Sequence, residues 1–421
     1  MPSSSPARRP VAVVVHAYFE EDSRVRRKAE SLVAAGREVD VFALRRPGDA
    51  AVVEGDGMRI HHLPVRRHQG AGIGTYLLEY LEFLLRAGFA LTRAHGRRRF
   101  ALVDVNSLPD FLVLAGLPVR VVGVPLLLDL HEAMPEFFES RFPRASNRVA
   151  RAALGLQERL SIRLASAVVT VNDSLADRLR GLGVPAHKVT VVLNSPSLGL
   201  FDLAAWPIRP FMADGRLRLV YAGALTPIYE LDVVLRALAL LAASRPELDP
   251  ELAIYGRGDS ESALRALAAE LGLAERVRFG GRIALDAVPA VIAVADIGLA
   301  PTRRDPFTER SMSTKLLEYT AMGKPVVATG LPTVRHYFPD GSIAEYESGD
   351  PADLARAIAS VVVRPADRER AVDLAVGRLA DLSWDRQAAA YLALVDRLAG
   401  DGLSSGPSRP DVSTGPIAEG V

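Results

Sequence analysis

The chain has 421 residues, more than one hydrophobic core usually organises, so two domains are expected. Hydrophobic residues make up 49% and charged residues 24%, the balance of a globular protein, and a net charge of +1 argues against a dedicated nucleic-acid binder. The absence of cysteine excludes disulfides, thiolate catalysis and cysteine-based zinc sites, and it fits a reducing compartment.

Residues 1–10 lack the apolar centre of a signal peptide and read as a flexible arm. No apolar run reaches the roughly 18–20 residues that span a bilayer. A cytoplasmic location is expected. Residues 11–15 form an all-apolar run, as in a buried parallel strand. Ser23 can cap a helix over 24–35 that Gly36 closes, and 38–44 is the next strand. This βαβ opening lacks a Gly-x-Gly-x-x-Gly fingerprint, which argues against a nicotinamide or flavin enzyme.

Residues 74–93 read as a long helix dominated by Tyr76, Leu77, Tyr80, Leu81, Leu84 and Leu85. Arg66, Arg67 and His68 precede it; Arg93, His95 and Arg97–Arg99 follow. A core helix with solvated ends explains this pattern. A membrane-surface or lipid-acceptor patch over 66–99, with basic groups meeting anionic headgroups, explains it too.

Strands follow at 101–106 and 125–130, with a short helix between them at 109–116. Beyond the second strand stand His131, Glu132 and Glu136, where open α/β sheets bind ligands. His131 is a ligand-binding candidate or a satisfied structural histidine, and Glu132 and Glu136 are candidates for the acceptor side. Tandem residues without a partner motif are a weak metal signal, and no metal site is assigned. Helices at 147–164 and 174–182 alternate with strands at 167–172 and 189–193. The first domain thus covers 11–200, and a Pro-, Gly- and Ser-rich linker covers 201–215.

A second α/β series occupies 216–399. Its first strand, 217–221, ends at Gly223. The strand at 252–255 ends at Gly256, Arg257 and Gly258, where missing side chains allow close approach. Further strands are expected at 277–279, 297–300, 325–329 and 342–346, and helices at 351–362 and 383–399. Residues 400–421 are rich in Gly, Ser and Pro and read as a disordered tail.

The stretch 311–329 organises this half. Leu316, Leu317, Tyr319 and Met322 give a helix an apolar face, Gly323 ends it, and Pro325 opens a buried strand. Ser311, Ser313 or Thr314 can cap it. Lys315 lies in the first turn, where a cation opposes the helix dipole unless an anion is bound there. Glu318 follows about one turn later on the same side. Phosphate groups at the tip and sugar or ribose hydroxyls on the carboxylate would suit a sugar nucleotide. An amphipathic helix with a surface Lys–Glu pair is the plain alternative.

Four segments carry a resemblance to glycosyltransferase family 4, retaining enzymes of the GT-B fold, and within it to bacterial exopolysaccharide-type enzymes. They are the 22–39 helix-to-strand opening, the His131 loop, the Gly256–Gly258 segment with residues 264–279, and residues 315–328. The resemblance implies two Rossmann-like domains facing a cleft. It implies a nucleotide-sugar donor on the C-terminal domain, an acceptor on the N-terminal one, retention at the anomeric carbon, and no cofactor or essential metal. By position it assigns Gly223, Gly256, Arg257, Arg310, Ser313, Thr314, Lys315, Leu316 and Glu318 to the donor, with Glu318 and His131 as the catalytic residues. The implied activity is hexosyl transfer in polysaccharide biosynthesis, to a glycan, glycolipid or lipid-linked acceptor. Cytoplasmic residence with peripheral contact at the inner face of the plasma membrane would suit a lipid-linked acceptor.

The chain departs from the family pattern at three places. The first of the usual two motif glutamates falls on Arg310. The basic pair after the first strand of the C-terminal domain is replaced by Ala224 and Tyr229. The loop after the first strand lacks the usual glycines. Arg257, Arg303, Arg304 or Arg310 could restore the missing charge; otherwise donor binding is weak, or the chain is an inactive, non-catalytic partner of another transferase.

Overall fold

The computed structural model describes residues 8–68, 72–142, 145–196, 198–207 and 209–400. Most of the expected N-terminal arm and nearly all of the expected tail lie outside them.

Two parallel-rich sheets form the frame. The first contains β1 (Val11–Val15), β2 (Val39–Leu44), β3 (Val52–Gly55), β4 (Met58–Leu63), β5 (Leu102–Asn106), β6 (Leu126–Leu130), β7 (Ala167–Thr170) and β8 (Val189–Val191). Their order is β3-β4-β2-β1-β5-β6-β7-β8, and β3 alone runs antiparallel to its neighbour. The second contains β9 (Arg218–Ala222), β10 (Glu251–Tyr255), β11 (Val277–Gly281), β12 (Ile297–Ala300), β13 (Val326–Thr329) and β14 (Ala344–Tyr346), ordered β11-β10-β9-β12-β13-β14. Both are doubly wound: the order reverses at β1 in one sheet and at β9 in the other, so each has a crevice beyond its strand ends. The central strands β1, β2, β5, β6, β12 and β13 are buried along their whole length, as near-continuous Val, Leu and Ala runs require.

The β3–β4 hairpin was not expected, yet its signal is in the chain. Asp56 and Gly57 occupy its turn with φ of 49° and 75°, the left-handed pair that a two-residue hairpin turn demands. A helix at Pro365–Leu382 was also not expected.

The last helix, Trp384–Ala399, changes the expected domain boundary. The sequence reading placed it in the 216–399 unit. Its buried Trp384, Tyr391, Leu394 and Val395 instead join the core cluster of β1, β2 and the Ser23–Ala34 helix. Polar contacts fix it there. Trp384 Nε1 donates to Ser31 Oγ (3.1 Å), and Arg37 pairs with Asp396 (2.6 Å). Amphipathic periodicity shows that a helix buries one face; it does not show against which sheet.

Beneath that helix lies a buried charge cluster. Lys28 Nζ is 2.9 Å from Asp104 Oδ2 and 2.5 Å from Asp129 Oδ2. Tyr391 Oη donates to the same Asp104 oxygen at 2.7 Å. The two carboxylates raise the Lys28 pKa against the opposing effect of burial. One ammonium therefore ties the Ser23–Ala34 helix to β5 and β6, and Tyr391 brings the C-terminal helix to the same point. Removing one partner of a buried ion pair costs about 3–5 kcal/mol, because the charge left behind is unpaired. Lys28→Met is expected to lower unfolding free energy by about that amount, and Tyr391→Phe by about 1.5–3 kcal/mol for one charge-assisted hydrogen bond. Urea denaturation of the two variants checks both values.

Candidate functional site

A cavity of about 400 Å³ lies between the C-terminal strand ends of the two sheets. His131, Val171 and Leu193 reach it from beyond β6, β7 and β8; Ala224, Ala300 and Thr329 reach it from β9, β12 and β13. Ser313, Thr314, Lys315, Leu316 and Leu317 form one wall. The two domains touch around it: Phe137 stacks edge-on against Phe307, Asn172 Nδ2 donates to the Arg310 carbonyl (2.7 Å), and Tyr337 Oη bonds Asp173.

The helix of that wall runs Thr314–Ala321. Tyr319 anchors it: its hydroxyl accepts from Ala222 N (3.1 Å), and its ring lies where a Cβ on Gly298 would come within 2.4 Å. Gly323 ends the helix with φ of 60°. No side chain caps the N-terminus at Ser313, contrary to the expectation for Ser311, Ser313 or Thr314. Ser311 Oγ instead donates to Phe307 O. Leu316 N turns back to the Ser313 carbonyl (3.2 Å), so among the described residues the Thr314 and Lys315 N–H groups of the first turn remain for a ligand.

Lys315 is buried and folds back over β9. Its ammonium sits 4.0 Å from the Tyr229 ring centre and 5.2 Å from that of Tyr221. Gly223 makes the space, since a Cβ there would meet Lys315 Cε at 2.2 Å and Nζ at 2.7 Å. Gly256 is fixed by the same layer: its φ is 141°, and a Cβ would stand 1.8 Å from the Gly223 carbonyl oxygen. A Cβ on Gly258 would stand 2.2 Å from the Leu225 carbonyl oxygen. The β9 and β10 exit loops thus pack backbone to backbone, joined by Gly223 N to Tyr255 O (2.9 Å) and Leu225 N to Arg257 O (3.0 Å).

Glu318 lies one turn behind Lys315, partly buried and not among the residues that line the cavity. Burial raises its pKa, against the pull of Lys315 and of Arg27 from the other domain. Arg27 is lowered to about 10 by burial and so stays charged at neutral pH. It donates to Asn194 Oδ1 at 2.6 Å and lies over the Trp384 ring.

His131 is buried at the cavity, its Nδ1 3.4 Å from Asp129 Oδ1. Burial first, then the charges of Arg24 and Lys28, push its pKa well below the usual value, so the ring is neutral. Its Nε2 has no hydrogen-bond partner among the described residues. A neutral imidazole with an open buried nitrogen can hold a hydroxyl. Glu132 also lines the cavity, and burial pushes its carboxyl up to about 7 despite Arg24.

Three expected residues lie elsewhere. Glu136, assigned to the acceptor side, is held by both ends of the Arg178 guanidinium (2.6 and 2.9 Å), with Glu158 on the same arginine. That is a structural ion-pair cluster rather than an open carboxylate. Arg257 is exposed and does not line the cavity. Arg310 contributes its carbonyl to the domain contact, and its side chain does not line the cavity either. Of the other arginines considered for the missing charge, Arg304 is committed to Glu347 and the Gly330 carbonyl, and Arg303 lies 3.7 Å from Asp305.

The cation that the sequence reading passed over is Arg24. It lines the cavity from the first domain, and among the described residues its one ion pair is a 3.6 Å contact to Asp22. The sequence places Arg24 in the helix over 24–35, and periodicity cannot show that a second domain covers part of that helix. Lys315 and Arg24 supply positive charge where Ala224 and Tyr229 replace the usual basic pair.

The two-domain fold thus places its cavity at the facing strand ends, with a basic helix tip on one wall and a neutral histidine on another. A family model described as a glycosyl transferase 4-like domain matches residues 22–195, and one described as glycosyl transferases group 1 matches residues 216–363. The chain belongs to this glycosyltransferase family. It is 26% identical over 398 residues to a D-inositol 3-phosphate glycosyltransferase of Thermomonospora curvata, covering 88% of this chain and 87% of the relative. The corresponding protein of Thermobispora bispora is 29% identical over 385 residues, covering 86% of each. Among solved structures, a sucrose-phosphate synthase of Thermosynechococcus elongatus superposes with a TM-score of 0.76 at 19% identity, covering 94% of this chain and 100% of that one. Anabaena HepE in complex with UDP-glucose superposes at 0.67 and 14% identity, covering 92% and 100%.

Two predictions follow from the site's packing and charge. Gly223→Ala should leave the fold intact, since the flexible end of Lys315 can move, but should displace the ammonium and weaken anion binding at the helix tip by about tenfold or more, measured by titration calorimetry with pyrophosphate. Glu132 has a folded pKa near 7 against an ordinary 4.5, so the stabilisation from its neutral form is full at low pH and is lost as pH rises through 7. Glu132→Gln should flatten the fall in stability between about pH 5 and 8, read by urea denaturation across that range.

Proposed function

We propose that this glycosyltransferase moves a hexosyl group from a nucleotide-sugar donor to a glycan, glycolipid or lipid-linked acceptor with retention at the anomeric carbon, and without a cofactor or essential metal. The observation that carries this reading is the uncapped tip of the Thr314–Ala321 helix, with Lys315 in its first turn and Arg24 facing it. Together they offer N–H groups and two cations to a diphosphate. The solved structures of HepE with UDP and UDP-glucose support a nucleotide-sugar as donor.

In this reading the donor diphosphate sits against Ser313, Thr314, Lys315 and Leu316, and Glu318 orients ribose or sugar hydroxyls. The bond from the anomeric carbon to the diphosphate oxygen breaks as the acceptor hydroxyl attacks from the same face. The acceptor proton passes to the departing phosphate oxygen, and no covalent enzyme intermediate forms. Fixed donors at the oxygen where negative charge grows stabilise this step without reorganising. Neutral His131 offers Nε2 to a hydroxyl of the sugar or acceptor. The acceptor enters from the first domain, and the basic 66–99 region is the part that meets a membrane surface when the acceptor is lipid-borne. The cytoplasmic face of a membrane, in polysaccharide assembly, is the setting proposed.

Thermal stability against UDP, GDP, dTDP and ADP and their common sugar conjugates tests the donor site. A ligand at a hundredfold excess over its Kd stabilises the folded state by about 2.7 kcal/mol. One nucleotide class is expected to raise Tm, and Lys315→Ala to abolish the shift. Glu318→Ala should keep the fold and lose most transfer, with proton NMR of the wild-type product showing the donor's own anomeric configuration. Wild-type turnover in both variants, unaffected fold included, would remove the site assignment, and inhibition by a chelator would remove the metal-free step.

A further inference from the structure

The first domain carries an apolar surface that its own core does not use. On the Ile73–Arg98 helix, Leu77, Leu81, Leu85 and Phe89 recur every fourth residue, and Leu78 lies within the same arc. All five are exposed, Leu78 by 70% and Phe89 by 72%. The face continues onto two neighbours. The Asp110–Gly116 turn packs between this helix and the Arg148–Leu164 helix, and the Leu117–Val121 helix packs beside Ile73–Arg98. They expose Val121 (86%) and Val122, while Arg148–Leu164 exposes Val149, Leu156 and Leu160 on one stripe. Scattered exposed leucines need no explanation; a run of them on three adjacent elements does.

Charge says what covers it. The two long helices hold eight arginines against three glutamates, in a chain whose net charge is only +1. Two of those glutamates are buried and engaged, Glu79 by His16 and His68 and Glu158 by Arg178. Arg86, Arg93 and Arg97 border the apolar arc of one helix, and Arg148, Arg159 and Arg163 flank that of the other. An apolar stripe edged by arginines fits the boundary between headgroups and acyl chains of an anionic bilayer. No helix among the described residues is long and apolar enough to cross one, so the fit is to its surface.

The same face opens into the molecule. A second cavity of about 410 Å³ is lined by Leu77 of one helix and Leu154 of the other, and it shares Arg24, His131 and Glu132 with the first cavity. Arg67 also lines it, beside the aromatic rings of Tyr80 and Phe138. Its walls are apolar at Leu77, Tyr80, Phe138 and Leu154, while Arg24 and Arg67 share the polar part with Asp22, Glu79 and Glu132.

We propose that the Ile73–Arg98, Leu117–Val121 and Arg148–Leu164 surface docks on an anionic membrane, and that the second cavity receives the phosphate-bearing head of an amphiphilic acceptor from it. This rests on the transferase reading and names its acceptor class. The geometry places the acceptor head beside His131 and Arg24 while its chains stay in the bilayer.

Vesicle co-sedimentation of the full chain tests it, using phosphatidylcholine alone and phosphatidylcholine with about one-third phosphatidylglycerol at low salt. The wild type should bind the anionic vesicles at least about tenfold more tightly than the neutral ones. Leu81→Glu/Leu85→Glu/Phe89→Glu and Val121→Glu/Val122→Glu should each weaken that binding by about tenfold or more, with an unchanged nucleotide-induced Tm shift. A wild type that stays in the supernatant overturns the proposal, as do glutamate variants that bind like wild type. A wild-type dimer that these substitutions convert to monomer would also overturn it, assigning the face to a second copy of the chain. A normal nucleotide shift without vesicle binding sinks this inference alone; loss of the shift in the wild type sinks the transferase site.

Discussion

The position of the positive charge at the cavity wall depends on Gly223 having no side chain. The Lys315 ammonium occupies the volume a Cβ would take, and the carbonyl of the same glycine fills the space beside Gly256. Two strand exits and one helix tip thereby converge on a single layer a few ångströms thick. Neither loop can be widened without moving the other, since each is held by the other's backbone hydrogen bonds. Tyr229 then closes over the ammonium at 4.0 Å, so that an aromatic face, rather than a carboxylate, is its nearest partner. A cation held by rings keeps its hydrogen-bond donors open to an anion; one held by a carboxylate would not.

The second constraint is Lys28, which works from the other domain. It fixes Asp129 at the end of β6, and His131 follows two residues later. Through Asp104 it also meets Tyr391 of the last helix. The C-terminal segment therefore returns to the first domain and is bonded within a few residues of the cavity wall. The same helix supplies Trp384, whose ring lies under Arg27, the residue whose charge acts on Glu318. A chain of contacts thus runs from the C-terminal helix to both of the residues named catalytic from the sequence.

Much of the architecture was legible in the sequence because it depends on local pattern. Apolar runs gave the strands, and Gly323 and Pro325 punctuated the Lys315 helix where the structure ends it. The parts that were not legible depend on what packs against what. Glu136 resembled an open carboxylate only because Arg178, far along the chain, is invisible to local pattern. Arg24 and Arg27 were read only as part of the helix over 24–35, because local pattern does not show which of its residues face a second domain. The Asp56–Gly57 hairpin was different: its turn signal was local and strong, and it went unread between longer elements.

The replaced basic pair gains a physical meaning from this arrangement. When both cations come from the C-terminal domain, that domain can hold a diphosphate alone. Here one of the two cations that line the cavity, Arg24, belongs to the first domain, and Arg27 beside Glu318 does too. On the proposed reading, donor affinity then depends on how closely the domains face each other. The contacts that set that distance, Asn172 to Arg310, Asp173 to Tyr337 and Ser140 to Asp305, lie around the cavity rim. Each joins residues from opposite domains, so a change in domain separation would break them while moving Arg24 away from the helix tip. On the same reading, an anion held by both Lys315 and Arg24 would bind best where the two domains bring those cations to it, and so would favour the closed arrangement.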